Sequence, residues 1–294
     1  MNERTRGYLY LTGAMALVGS TVVASKLSIA AIQPMTATAI RFAIATPLFL
    51  LLMWISGTRF PRIGAEDLPV LLTQCLAGSV GYTVLLMYGL RYASASDAGL
   101  IIGMLPVVSA LCAVVLLKER PDARLVMAVL VAGAGVALIA LRNGGSGGSS
   151  IAGNLLVGGA VLCEALFLLL QRRLRKDIEP LALSTILSGT ALLSSAVLAL
   201  GETGASRFEP QALQALAYYA AGPTVVGFVL WYAGARRVSG TEAAVLTAIA
   251  PASTLVLAML VLGEQPGWRE GAGLACVLAA MGLLMARAPQ PRRS

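Results

Sequence analysis

Histidine is absent from all 294 positions of the chain. Its absence excludes Ser-His-Asp triads, HExxH zinc sites and histidine-ligated haem. Charge is scarce as well: 12% of residues are charged against 57% hydrophobic, and the mean hydropathy is +0.81. No polar stretch is long enough for a separate soluble domain. The four cysteines, Cys75, Cys112, Cys163 and Cys276, all fall inside apolar runs without metal-ligand spacing, so neither a metal site nor a disulfide is expected. A Walker-type GxxxxGKS/T loop is missing, which removes ATP as a direct energy source on this chain. No cofactor is expected. An intramembrane enzyme fits poorly, because histidine is missing and intramembrane carboxylates do not come in pairs.

What the chain has instead is apolar runs of 18 or more residues, each long enough to cross a bilayer core of roughly 30 Å. Hydropathy predicts an all-α membrane protein of ten transmembrane helices, near 7–30, 35–55, 67–90, 95–117, 122–141, 151–171, 181–200, 212–235, 241–262 and 268–286. Turn residues separate them, and one stretch, "NGGSGGSS" at 143–150, has the composition of a flexible linker. The first span is expected to be an uncleaved helix rather than a signal peptide, because its apolar run is too long for one.

The net charge of +8 sits in short loops between spans. That distribution marks membrane topology rather than a nucleic-acid surface. With the N-terminus in the cytoplasm, sixteen basic residues fall inside, while Arg91, Arg142, Arg207 and Arg269 fall outside. Both termini are therefore expected to be cytoplasmic.

In "GMLPVVSALCAVVLLKERP" (103–121) Pro106 interrupts a run apolar enough to lie in a membrane. Proline deletes a backbone hydrogen bond, and in lipid only protein or a water-filled cavity can satisfy the freed group. The pattern returns 145 residues later in "AIAPASTLVLAMLVLGEQP" (248–266), with Pro106/Pro251, Ala113/Ala258, Glu119/Glu264 and Pro121/Pro266 in register. An offset of 146 aligns Gly13/Gly159, Ala14/Ala160 and Pro34/Pro180. Five spans per half is an odd number, so the second half enters the membrane upside down. The expected organisation is a first repeat at 1–142, the linker at 143–150 and an inverted repeat at 151–294. Inverted repeats with matched interrupted helices point to a transporter whose site lies where the halves meet.

Candidate site residues follow from this frame. Pro106 and Pro251 would free the carbonyls of Ile102 and Thr247 for a pocket. Gly99, Gly103 and Pro106 share one helix face, as do Ala244, Ala248 and Pro251, a spacing that lets backbones approach closely. Glu164 lies near the centre of the sixth span, several residues from any other charge. It is expected to rest protonated, and three roles stay open: binding a substrate amine, carrying a proton, or making a hydrogen bond across the bundle. Lys26 and Arg41 lie a turn or two inside the outer ends of adjacent spans. They can snorkel to headgroups, or draw a substrate carboxylate to an outer vestibule. Tyr82, Phe167 and Phe228 fall deep enough to face an apolar substrate, whereas Trp54, Tyr88, Tyr92, Trp231 and Tyr232 read as an interfacial belt. "SASD" (94–97) and "SGTE" (239–242) are capping-box patterns, which suffices to explain Asp97 and Glu242.

The segments "RYASASDAGLIIGMLPVVSALCAVVLLKERP" (91–121), "RRVSGTEAAVLTAIAPASTLVLAMLVLGEQP" (236–266) and "ATAIRFAIATPLFLLL" (37–52) resemble the drug/metabolite transporter superfamily, specifically its ten-helix EamA-type members. In overall pattern the chain is most similar to the YddG-type aromatic amino-acid exporters. The resemblance implies a monomeric secondary exporter of small metabolites, amino acids above all, in the bacterial inner membrane. Protons are the candidate coupling ion. A drug exporter of the same fold and a passive channel are the alternatives.

Overall fold

The computed structural model describes residues 2–61, 64–117, 123–140, 150–171 and 178–285. The expected linker lies outside them except for Ser150, as does Glu119. Every regular element among the described residues is helical: α1 (Glu3–Ile29), α2 (Pro34–Ser56), α3 (Leu68–Tyr92), α4 (Ala95–Gly103), α5 (Leu105–Leu117), α6 (Ala123–Ala140), α7 (Ile151–Gln171), α8 (Pro180–Ala199), α9 (Pro210–Ala235), α10 (Gly240–Leu246), α11 (Ile249–Leu262) and α12 (Trp268–Met285).

Six of these, α1, α2, α3, α7, α8 and α9, are each long and apolar enough to cross a membrane. Helices α4 and α5, bent by 44° at their break, meet the same measure only when taken together. The three other expected spans coincide with α6, with α10 and α11 together, and with α12, which are helical but do not meet that measure alone. The bundle is apolar outside as well as inside. Trp54, Val115, Leu200 and Leu260 are among many large hydrophobic residues left largely exposed. Such a surface is matched to lipid rather than to water.

The prolines break the helices slightly upstream of themselves. The α4–α5 break falls at Met104, and Pro106 is the second residue of α5. The α10–α11 break falls at Thr247 and Ala248, and Pro251 is the third residue of α11. Amides in a first turn have no intrahelical acceptor, so proline fits there without loss. Two further irregularities are of another kind, and of them the second alone holds a proline, Pro223. Helices α3 and α9 each contain a π-helical turn, Leu76–Gly81 and Ala220–Val226, and these match under the 145-residue offset to within a residue.

Helix contacts come in corresponding sets. The heaviest are α3 on α7 and its counterpart α1 on α9, followed by the pairs α6 on α12 and α2 on α8. Small residues allow the tightest crossings. A side chain on Gly19 of α1 would meet the Ala250 carbonyl at 2.5 Å, and Gly99 of α4 abuts Thr254 of α11 with no room for a Cβ. Thr254 Oγ1 donates to the Gly19 carbonyl at 2.8 Å, pinning α1 to α11.

One end of the bundle is tied shut by side chains that cap helix ends. The Glu264 carboxylate, which follows the left-handed Gly263, accepts from the amides of Ala95 and Ser96 at 2.7 and 2.9 Å and from Ser96 Oγ at 2.6 Å. Glu202 does the same for α2, accepting from the amides of Met35 and Thr36 at 2.8 and 3.0 Å. At the opposite end Arg237 Nε donates to Glu3 at 2.9 Å, while Tyr8 and Arg4 donate to Glu242. The 239–242 capping box forms as read, with Ser239 and Glu242 bonding reciprocally, whereas at 94–97 the hydroxyl arm forms, Ser94 Oγ accepting from the Asp97 amide at 3.0 Å.

Candidate functional site

A cavity of about 930 Å³ lies where α1, α3, α4, α5, α7, α9, α11 and α12 converge. It collects six of the residues read from the sequence: Tyr82, Ile102, Pro106, Glu164, Thr247 and Pro251. The two broken helices meet at its wall, where Gly103 of α4 faces Pro251 of α11 so closely that a Cβ on Gly103 would lie 3.0 Å from Pro251 Cβ. Leu168 and Leu284, each near the last residue of its helix, also line the cavity, so it reaches toward the end that carries the start of α1. Lys26, Ser94–Asp97 and Glu264, which tie the other end, contribute nothing to its lining.

The lining is almost wholly apolar, which makes its few polar groups informative. Glu164 is the one carboxylate among the lining residues, and no lysine or arginine joins it. Among the described residues nothing hydrogen-bonds to its carboxyl group, so the cross-bundle bond left open above does not form. Thr21, Tyr82, Ser109, Thr247 and Thr254 also line the space, and Ser109 Oγ makes no hydrogen bond to any described residue.

Other expected site residues are placed elsewhere. Phe167 packs against the α3 π turn, where a Cβ on Gly78 would lie 2.6 Å from its ring, and it does not line the cavity. Phe228 stacks edge-on against Phe49, with ring centroids 5.5 Å apart, and against Tyr232 at 4.6 Å. Depth along a helix, from which both were read, does not fix the face. The carbonyl of Thr247 is not left over for a ligand, because the Ala250 amide donates to it at 3.1 Å. At the other break the Met104 amide donates to Ile101 O at 3.0 Å. A tight turn thus closes each break.

Lys26 and Arg41 do not form a shared vestibule. Lys26 Nζ donates to the carbonyls of Leu90 and Ala93 and so caps the end of α3. Arg41 points into the bundle, its guanidinium 3.6 Å from the Tyr219 ring centroid and 4.4 Å from that of Phe42. Trp231, read as interfacial belt, lines the cavity. Its nearness to a span end is real, but the cavity extends to that end. Ser109, one turn after Pro106 on the same helix face, could have been found from that spacing.

The model of the EamA-like transporter family matches the chain twice, over residues 5–141 and 151–286. The chain belongs to the EamA-like transporter family. This EamA-like protein is 31% identical to the "Uncharacterized transporter YetK" of Bacillus subtilis (strain 168) over 297 residues, covering 99% of this chain and 90% of that one. It is 30% identical over 210 residues to the "Probable terminal-alkyne amino-acid exporter" of Streptantibioticus cattleyicolor, covering 71% and 70%. A solved structure superposes with a TM-score of 0.66 over 96% of this chain at 19% identity, a likeness of fold alone. The EamA-like protein is thus a multi-span membrane transporter, not an enzyme, with a small molecule as its substrate.

Proposed function

We propose that this transporter exports small amine-bearing metabolites, amino acids with apolar or aromatic side chains above all, by alternating access. The observation that carries the reading is Glu164, a carboxylate with no described partner on the wall of an apolar central cavity. An ionised group so placed is costly unless a cation meets it. A substrate ammonium supplies that cation, and the apolar wall with Trp231 suits a hydrophobic side chain. The name of the Streptantibioticus relative supports an amino acid among the possible cargoes.

The architecture we infer is ten spans in two inverted halves, 1–142 and 151–294, joined by the linker at 143–150. Matched breaks, matched π turns, paired helix contacts and the two family matches support it. The sixteen-to-four basic bias supports cytoplasmic termini in a bacterial inner membrane. In that orientation the cavity opens toward the cytoplasm, where an exporter loads. A proton leaving Glu164 as the ammonium arrives would couple export to the proton gradient. The protein acts as a monomer in this reading, because one chain supplies the whole cavity.

Proteoliposomes test it. Purified protein is expected to move labelled phenylalanine and phenethylamine, and to leave hydrocinnamate and nucleobases untouched. Transport of hydrocinnamate in preference to both amines would contradict the reading.

A further inference from the structure

Arg41 is a cation that the cavity description leaves without a purpose. It lies on α2 two turns from Pro34, inside the bundle, and is half-buried. Its Nε donates to Thr224 Oγ1 at 3.3 Å, and Thr224 Oγ1 in turn donates to the Tyr219 carbonyl at 2.9 Å across the α9 π turn. The π turn therefore holds one edge of the guanidinium, and the Tyr219 and Phe42 rings hold it in place. Its two terminal nitrogens donate to no described residue, and no described carboxylate lies within salt-bridge distance. Aromatic faces attract a cation but do not neutralise it. An intramembrane guanidinium with no anion is costly to keep, and its free fork is shaped for a carboxylate.

Arg41 does not itself line the cavity, and Tyr82 stands between it and Glu164. Tyr82 has both Arg41 and Glu164 as electrostatic neighbours, and Tyr82 lines the cavity beside Glu164. Counted from the same end of the bundle, where Pro34 and Ile151 begin their helices, Glu164 lies about 9 Å deeper than Arg41 at 1.5 Å per residue.

We propose that Arg41 is the carboxylate subsite of the transport path, holding the acid end of a zwitterionic amino acid whose ammonium faces Glu164, with the Tyr82 phenol between them. This rests on the amine reading of Glu164 and adds to it the discrimination of amino acids from simple amines. Lysine would keep the charge but lose the two-pronged geometry.

The test compares phenylalanine with phenethylamine, which lacks the carboxylate, in proteoliposomes of wild type, Arg41→Gln and Arg41→Lys. The expected result is that Arg41→Gln lowers phenylalanine transport by about tenfold or more, the scale of a lost charge-assisted contact, while phenethylamine transport stays within about twofold. Arg41→Lys is expected to lower phenylalanine transport less and to spare phenethylamine. Retained phenethylamine transport also shows that the variants fold. Phenylalanine transport at the wild-type rate in Arg41→Gln would overturn the proposal, as would equal loss of both substrates in both variants. A wild type that carries phenethylamine and not phenylalanine overturns the carboxylate subsite and leaves the amine reading standing. One that carries neither overturns both.

Discussion

Glu164→Gln is expected to lower transport of amine-bearing substrates by about tenfold to a hundredfold, the scale of one lost hydrogen bond to a charged group. Glutamine keeps the shape of the side chain and most of its hydrogen-bonding capacity but cannot carry charge or exchange a proton. The carboxyl group has no described partner, so no other contact is lost with the charge and the variant is expected to insert and fold normally. The dependence of transport on pH is expected to disappear along with the rate, because the group that would trade its proton for the ammonium has gone. Initial rates in proteoliposomes between pH 5.5 and 8.5 measure both effects. Full activity with an unaltered pH profile would leave Glu164 a structural residue.

The double variant Pro106→Ala, Pro251→Ala is expected to slow turnover by on the order of tenfold while leaving substrate affinity nearly unchanged. Each proline sits in the first turn after a break, where it keeps α5 and α11 from continuing α4 and α10 as straight helices. The breaks touch, with Gly103 packed on Pro251, so straightening one span disturbs the other. Alanine restores the missing amide and favours the continuous helix, which removes the bend rather than the cavity lining. Equilibrium binding beside turnover separates the two effects. Unchanged turnover would reduce the prolines to packing features.

Much of the site was legible because proline and charge are conspicuous in an apolar chain. Pro106, Pro251 and Glu164 stand out by chemistry alone, and the cavity gathers all three. The capping boxes were legible because Ser94 and Ser239 act on neighbours three residues away, within reach of a local pattern. Distant partnerships were not. Glu264 and Glu202 cap helices more than 160 residues earlier in the chain, and nothing local marks them as caps. Depth also proved weaker than face: Phe167 and Phe228 lie deep yet turn away from the cavity, whereas Trp231 lies near a helix end and turns toward it. Lys26 and Arg41 lie one and two turns inside the same end and diverge in role, because one finds carbonyls at a helix end and the other finds aromatic rings. The π turns escaped for a different reason. "LAGSVG" and "AAGPTVV" share small residues but no common signal for an i→i+5 bond, so only the backbone reveals them.

Counterflow tests the central claim most directly, since that claim is a carrier with one cavity exposed to each side in turn. Proteoliposomes loaded with unlabelled phenylalanine and diluted into a trace of labelled phenylalanine report it. The account predicts a transient accumulation of label above equilibrium, because the carrier returns across the membrane occupied. Label that rises only to equilibrium, at a rate indifferent to the internal phenylalanine, would contradict the carrier and favour a passive channel.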